Sequence, residues 1–206
     1  MPPLHGRGRR ARAGRGPVQL TSWRRSQRER LIAERLALDP ALRGHYSQRI
    51  AQNLDRIIGN PEGQIVSGYW PFRGEPDLRA WLTGLRERKG QAALPVIVTK
   101  REPLRFRVWH PGEKLEKGIW NIPFPGEGPY VEPDIVLVPL VWFDVVGYRL
   151  GHGGGYFDRT LASASKRPRI IGVGYQQSTL ATIYPQPHDI PMDVIVTENE
   201  ITEYER

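Results

Sequence analysis

The feature that most constrains the fold is an apolar run that leads into a cluster of glycines. Ile135–Val138 is continuously apolar and lies between two prolines, a pattern typical of a strand buried on both faces of a parallel sheet. Four glycines then occupy five positions from Gly151 to Gly155, and we expect a helix to begin within or just after them. Glycines leave room for an approaching ligand and allow positive φ values that turn successive N–H groups inward. The segment therefore predicts a strand, a ligand-sized loop and a helix.

Two interpretations of the glycine cluster stay open on spacing alone. In one, the loop binds phosphate with Arg149, His152 and Arg159 as cations, and a helix N-terminus adds partial positive charge. Asp158 could then bind Mg²⁺, because hard cations prefer carboxylate oxygen. In the other, the glycines only allow a tight strand-to-helix turn. The segment is neither a Walker A loop nor the dinucleotide fingerprint, since no Gly-Lys-Ser/Thr ends it and the surrounding pattern differs.

Strands and helices alternate along the rest of the chain. Helices are predicted over residues 22–38 and 40–58 and after Glu75-Pro76, and strands over 64–69, 92–98, 135–138, 169–173 and 194–196, with an extended segment at 104–109. Asp39-Pro40 has the order of a helix start, with a carboxylate before the proline. Residues 111–133 are rich in proline and glycine and are predicted to form a long functional loop. The alternation predicts an α/β layered domain with a mainly parallel sheet flanked by helices.

Length and charge favour one domain preceded by a basic tail. The 206 residues, 39% of them hydrophobic, suffice for a sizeable core. Residues 1–21 carry five arginines, no acid and no periodicity, so we predict a disordered tail there and a single folded domain over 22–206. Without the tail, the formal net charge falls from +8 to +3. That charge suits an anionic substrate such as a nucleotide, but does not indicate a nucleic-acid groove.

The composition also excludes several kinds of protein. Zero cysteines exclude disulfides, thiolate catalysis and cysteine-ligated zinc. No apolar run approaches the length of a membrane-spanning helix, and the basic start is not followed by the apolar stretch of a secretory signal. We therefore expect a cytoplasmic protein without a membrane partner.

Four separate stretches of the chain form one combined pattern: Pro133–Arg159, Tyr69–Leu78, Trp120–Gly126 and Pro187–Asp193. In order and spacing they together resemble the 5-formyltetrahydrofolate cyclo-ligases, also called methenyltetrahydrofolate synthetases. The resemblance covers residues 22–199 and is more specific in combination than in any one stretch. It implies ATP-dependent conversion of 5-formyltetrahydrofolate to 5,10-methenyltetrahydrofolate with release of ADP and phosphate, on a fold like that of the NagB/RpiA/CoA-transferase group. Such chemistry needs mainly positioning and charge neutralisation.

The resemblance also implies which residues form the site. ATP binding would fall on Arg24, Arg28, Arg149, Leu150, Gly151, His152, Gly153, Gly154, Gly155, Tyr156 and Phe157, with Arg149 and His152 as the catalytic residues. Folate contacts would fall on Trp70, Glu75 and Trp120, since an acid suits the donor-rich pterin ring and indoles stack on it. Mg²⁺, bound with ATP, would be held near Asp158 and Asp193. Taken without the resemblance, Arg24 and Arg28 read as charges on a solvated helix face.

Three positions depart from common family forms. Many members have lysine at Arg24, some have lysine at Gly154, and tyrosine is usual at Phe157. These departures leave open a cyclo-ligase-like paralogue that binds folate or another substrate without this turnover. A third hypothesis is a nucleic-acid-binding protein that acts through the arginine tail and the basic first helix. The mildly basic body and the glycine loop argue against it, so we expect a monomer with a reduced folate substrate and no specific nucleic-acid partner.

Overall fold

An eight-stranded sheet organises the part of the chain that the computed structural model describes, residues 16–205. The helices are α1 (Pro17–Ala37), α2 (Pro40–Ile58), α3 (Arg79–Gly84) and α4 (Tyr156–Ala162). The strands are β1 (Ile65–Ser67), β2 (Gln91–Val96), β3 (Arg105–Val108), β4 (Leu115–Lys117), β5 (Pro123–Pro125), β6 (Tyr130–Val131), β7 (Ile135–Pro139), β8 (Trp142–Asp144), β9 (Arg149–Leu150), β10 (Arg169–Val173), β11 (Thr179–Leu180), β12 (Val194–Val196) and β13 (Ile201–Glu203). Single 3₁₀ turns lie at Arg86–Arg88, Ile119–Asn121 and Gln176–Ser178.

The main sheet has the strand order β13-β12-β10-β7-β1-β2-β3-β6. The five strands from β12 to β2 run parallel, while β13, β3 and β6 are antiparallel additions at the two edges. A three-stranded sheet, β11-β8-β9, and the hairpin β4-β5 lie beside it. The predicted α/β domain with a mainly parallel sheet is thus confirmed.

Strand β7 explains why helices cover both faces of this sheet. It pairs with β1 on one side and β10 on the other, and its residues 135–138 are all buried, as the apolar run predicts. Ile135 and Leu137 pack into one core with α2 and α3, whereas Val136 and Val138 pack into a second core with Leu161 of α4. Since successive side chains of a strand point to opposite faces, a continuously apolar strand needs cover on both sides.

Of the three predicted helix starts considered next, the structure confirms one and shifts two. At α2, the Asp39 carboxylate accepts hydrogen bonds from the backbone N–H groups of the first turn, as expected for an N-cap. Helix α1 starts at Pro17, not at residue 22, so residues 17–21 are helical and not part of a disordered tail; buried Leu20 explains the extension. The predicted tail otherwise falls on residues 1–15, outside the described residues. The helix expected after Glu75-Pro76 begins only at Arg79.

The prediction of one long loop over residues 111–133 is wrong in detail, because the segment contains the β4–β5 hairpin and β6. Glu116 pairs with Phe124 across the hairpin, and Gly118 donates a backbone hydrogen bond to the carbonyl of Ile122 at its tip. Prolines are compatible with β5 because this strand pairs only with β4 and has no second neighbour that needs their missing N–H. Within residues 16–205, no helix is both long enough and apolar enough to span a bilayer.

Candidate active site

A cleft lies at the carboxyl ends of the parallel strands β1, β2 and β7, the edge at which open α/β sheets bind ligands. Segments far apart in sequence meet there. All but two of the residues that the sequence assigns to the site line this cleft: Arg24, Arg28, Trp70, Glu75, Trp120, Arg149, Leu150, Gly151, His152, Gly153, Gly154, Gly155, Tyr156, Phe157 and Asp158. The exceptions are Asp193 and Arg159, and Nη2 of Arg159 donates to the carbonyl oxygen of Gly154.

The glycine loop leads into α4, as the sequence predicts, but it follows β9 and not the buried strand β7, because β8 and β9 lie between them. The loop bends where glycine is required. Gly153 has φ +96° and Gly155 has φ +62°, conformations that residues with a Cβ rarely adopt. A Cβ at Gly153 would lie 3.5 Å from Cζ of Arg28, an ordinary contact, so backbone conformation rather than lack of space demands glycine there. Helix α4 has only seven residues. The dipole expected from the sequence is therefore small, and side chains and loop N–H groups must provide most of the positive potential.

Arg149 is the buried cation of the site. Its side chain is 4% exposed, and Nη1 donates a 3.0 Å hydrogen bond to Oδ1 of Asp158. Within residues 16–205, Nε of this guanidinium is buried and has no acceptor. Because Arg149 lines the cleft, its guanidinium places a buried positive charge beside the glycine loop, where it can donate to an anionic ligand.

Two arginines one turn apart on α1 face the cleft and have different contacts. Arg28 is half-buried and donates from Nε to the carbonyl oxygen of Gly151 at 2.7 Å. Burial, and then the neighbouring charge of Arg24, lower the pKa of Arg28, although Asp189 opposes this. Arg24 donates to both carboxylate oxygens of Asp189, at 2.6 and 3.4 Å, and to the carbonyl of Tyr184 at 2.8 Å. The solvated-face interpretation is therefore wrong for both arginines.

The opposite wall of the cleft carries one carboxylate and several aromatic rings. Glu75 is 6% exposed; its Oε2 accepts a hydrogen bond from the backbone N–H of Phe72, and its Oε1 lies 2.8 Å from Nε2 of His152. Trp120 is 52% exposed and stacks on the Phe72 ring, with centroids 6.1 Å apart. Trp70 packs edge-on against Trp109. An acceptor surrounded by flat rings suits a planar ligand that donates hydrogen bonds.

The predicted pair of metal ligands does not come together. Asp158 lines the cleft, but Asp193 lies at the amino ends of β10 and β12, on the opposite edge of the sheet. There its carboxylate accepts from the backbone N–H of Ile170 and pairs with Arg167. The assignment of Asp193 to the metal site is thus corrected. Over residues 16–205, no three His, Asp or Glu side chains cluster in a way that could hold a metal ion.

Sequence reasoning missed Asp189, Arg35 and Asp144. Asp189 belongs to the same short segment as Asp193, and its side chain is 8% exposed in the cleft wall. Arg35 is buried and joins the segment after β1 to the residue that follows β7, since Nε donates to the carbonyl of Arg73 and Nη1 to that of Leu140. Burial lowers the pKa of Arg35, and Glu75 opposes this.

Asp144 shapes the approach to the glycine loop from within β8. It is fully buried and accepts hydrogen bonds from the backbone N–H groups of Val146, Tyr148 and Ile183. These bonds fix the turn between β8 and β9 and hold the Ile183 segment beside it. An aspartate just before a Val-Val-Gly turn was the only signal available in the sequence.

Known proteins resemble this chain over most of its length. The family model described as "5-formyltetrahydrofolate cyclo-ligase family" matches residues 20–198. The 5-formyltetrahydrofolate cyclo-ligase of Haemophilus influenzae is 31% identical over 165 residues, which is 76% of this chain and 88% of the relative. The protein of that name from Escherichia coli K12 is 27% identical over 177 residues, 82% of this chain and 97% of the relative.

Two solved structures also resemble this chain. The NMR structure of Aquifex aeolicus 5,10-methenyltetrahydrofolate synthetase superposes with a TM-score of 0.77 at 27% identity, covering 89% of this chain and 93% of the other. The Mycoplasma pneumoniae 5,10-methenyltetrahydrofolate synthetase, at 24% identity and TM-score 0.71, shares the fold over 85% of this chain and 98% of its own. The chain therefore belongs to the 5-formyltetrahydrofolate cyclo-ligase family.

Proposed function

We propose that this protein uses ATP and Mg²⁺ to cyclise 5-formyltetrahydrofolate to 5,10-methenyltetrahydrofolate, releasing ADP and phosphate. The observation that carries the proposal is the buried guanidinium of Arg149 beside the glycine loop, in the same cleft as the buried carboxylate of Glu75. A phosphate oxygen could accept from the first group and a pterin N–H could donate to the second. The family match supplies the substrate class.

In this proposal the triphosphate lies against the loop Gly151–Gly155. Arg149 and Arg28 neutralise the charge of its oxygens. Nε of Arg28 donates to the carbonyl oxygen of Gly151, and the two terminal nitrogens donate to the ligand. Arg24 donates to Asp189 and to loop carbonyls, so its role is to hold Asp189 in place rather than to bind phosphate itself. Arginine suits this task better than lysine, because its planar fork can bond both oxygens of one carboxylate.

The chain also fits Mg²⁺ that arrives with the nucleotide. Mg²⁺ is usually held by one or two carboxylates together with substrate phosphates and water, not by an all-protein cage. Asp158 and Asp189 both line the cleft and offer oxygen ligands of this kind. The ion would neutralise phosphate charge during transfer.

On the other side of the cleft, Glu75 accepts from the pterin N–H donors and Trp70 and Trp120 cover the flat ring. This places the N5-formyl group towards the glycine loop. The formyl oxygen then forms a bond to the γ-phosphorus as the bond to the bridging oxygen of ADP breaks. N10 attacks the activated carbon, the carbon–oxygen bond breaks to release phosphate, and the N10 proton is lost. The residues contribute alignment and charge neutralisation, which are the main requirements of phosphoryl transfer.

The test mixes purified protein with ATP, Mg²⁺ and 5-formyltetrahydrofolate, and follows the near-ultraviolet absorbance of the methenyl product together with ADP. We expect equimolar methenyl product and ADP. Arg149→Met should lower kcat by roughly 10²-fold, because one charge-stabilising donor at a transferring group is lost. Arg25→Met, on the exposed face of α1, is the matched control and should leave the rate unchanged. Folate binding without ADP formation by folded protein would instead support the paralogue without turnover.

A further inference from the structure

The glycine loop and the Glu75 segment are joined by one side-chain hydrogen bond. Nε2 of His152 lies 2.8 Å from Oε1 of Glu75, and both side chains are largely buried, at 19% and 3% exposure. The edge of the His152 ring also meets Phe72, with centroids 5.5 Å apart. Across residues 16–205, no other side-chain hydrogen bond links residues 149–158 to residues 69–78. His152 thus joins the glycine loop to the Glu75 segment by a direct polar contact.

His152 contacts one oxygen of the Glu75 carboxylate, and the second oxygen is held by the backbone. Oε2 of Glu75 accepts from the backbone N–H of Phe72, so the orientation of Oε1 depends on His152. A carboxylate oxygen has a second lone pair, which stays available for a donor on the ligand. A proton on Nε2 therefore orients Oε1 of Glu75 and leaves its second lone pair able to accept from a ligand.

His152 is also placed where its position depends on the glycine loop. It lies between Gly151 and Gly153, and the latter has φ +96°. Glycine-rich backbone loses much conformational entropy when it is ordered. When a first ligand orders the loop, the entropy loss is part of the binding free energy of that ligand. A second ligand that needs the ordered loop then binds more tightly, which is positive coupling between the two sites.

We propose that His152 is a positioning residue that couples nucleotide binding to folate binding through Glu75. The idea rests on the proposed function of the cleft and adds how its two halves communicate. Phosphate contacts on the neighbouring glycines hold the loop, the loop holds His152 against Oε1 of Glu75, and the pterin meets an oriented acceptor. By reciprocity, folate held on Glu75 strengthens nucleotide binding by the same factor. This role replaces the catalytic role that the sequence predicts for His152.

The experiment measures the Kd of 5-formyltetrahydrofolate for the full chain with and without Mg²⁺ and a non-hydrolysable ATP analogue, using intrinsic tryptophan fluorescence. For the unmodified protein we expect the analogue to lower this Kd roughly fivefold or more, within the usual range of coupling between sites. His152→Leu keeps the bulk but removes the donor, and should bring the ratio of the two Kd values close to one. His152→Gln keeps a donor nitrogen and should retain a ratio clearly above one. His45→Leu, on the exposed face of α2, is the matched control and should keep the full ratio.

The outcomes separate this inference from the function on which it rests. An unmodified protein that binds neither ligand would refute both. Normal turnover with full coupling in His152→Leu, or with no coupling in the unmodified protein, would refute the coupling role alone. If His152→Leu does not fold, the glutamine variant decides, since loss of coupling in a folded chain that still has the donor contradicts the proposal.

Discussion

The Arg24–Asp189 pair gives a sharp prediction because a matched surface pair lies on the same helix. Arg24 and Asp189 have side chains only 10% and 8% exposed, and their shortest N–O distance is 2.6 Å. Arg24 also donates to the carbonyls of Ile183 and Tyr184. Arg30 and Glu34 form the comparison, an i,i+4 pair at 2.7 Å with 51% and 46% exposure. The two pairs have similar shortest N–O distances but differ in burial and in the remaining bonds, since Arg30 also donates to Gln27.

Arg24→Met keeps the aliphatic stem and leaves the Asp189 carboxylate without its cation. Removing one partner of a buried pair costs ~3–5 kcal/mol, and we expect the lower end, about 3 kcal/mol, because Oδ2 of Asp189 keeps the backbone N–H of Gln186. For a chain of this size, each kcal/mol shifts Tm by ~2–4 °C, so the loss is roughly 6–12 °C. Asp189→Asn should cost somewhat less, since a neutral amide is left beside the guanidinium.

The assay is a double-mutant cycle on the free energy of unfolding from urea titrations. Combining Arg24→Met with Asp189→Asn should give an interaction energy of about 2 kcal/mol, because the second change no longer breaks an intact pair. The same cycle on Arg30 and Glu34 should give ~0.5 kcal/mol or less. An interaction energy between Arg24 and Asp189 that is no larger than that of the surface pair would show that the buried contact does not hold the site as described.

Three further predictions concern the loop, the corrected aspartate and a buried phenol. Gly153→Ala forces a Cβ into φ +96°, so we expect a loss of ~1–2 kcal/mol in unfolding free energy and a raised KM for ATP, measured by urea titration and steady-state kinetics. Asp193→Asn breaks the pair with Arg167 and should lower Tm while the Mg²⁺ concentration for half-maximal activity stays unchanged; a large increase in that concentration would restore Asp193 as a metal ligand. Burial raises the pKa of Tyr175 to about 12, so the unfolding free energy should fall as pH rises from about 10 to 12. Tyr175→Phe, which also loses the bond to the carbonyl of Gly74, should flatten that decline, and an unchanged slope would contradict the assignment.

The sequence was most informative where one residue type has few structural uses. A continuously apolar strand requires cover on both faces, and β7 has it. Four glycines in five positions require an unusual backbone, and Gly153 and Gly155 adopt it. The composite cleft followed from the resemblance of four separate stretches, because the geometry of one glycine loop does not reveal which distant residues approach it.

The remaining features depend on tertiary contacts that local patterns do not encode. Arg24 meets a partner 165 residues away, so its burial could not be inferred from a helix rich in arginine. Asp189 and Asp193 share one segment, and only the path of the chain places one in the cleft and the other at the far edge of the sheet. The β4–β5 hairpin contains prolines and few residues that favour strands, so its sequence resembles that of a loop. The monomeric state, the cytoplasmic location and the nature of residues 1–15 stay predictions.

The most direct test of the central claim follows the oxygen atom of the formyl group. Substrate labelled with ¹⁸O in the N5-formyl group is converted with unlabelled ATP and Mg²⁺, and the released phosphate is analysed by mass spectrometry. If the cleft brings the formyl oxygen to the γ-phosphorus between Arg149 and the Gly151–Gly155 loop, each phosphate should carry one ¹⁸O. Methenyl product accompanied by unlabelled phosphate would contradict this account of the site.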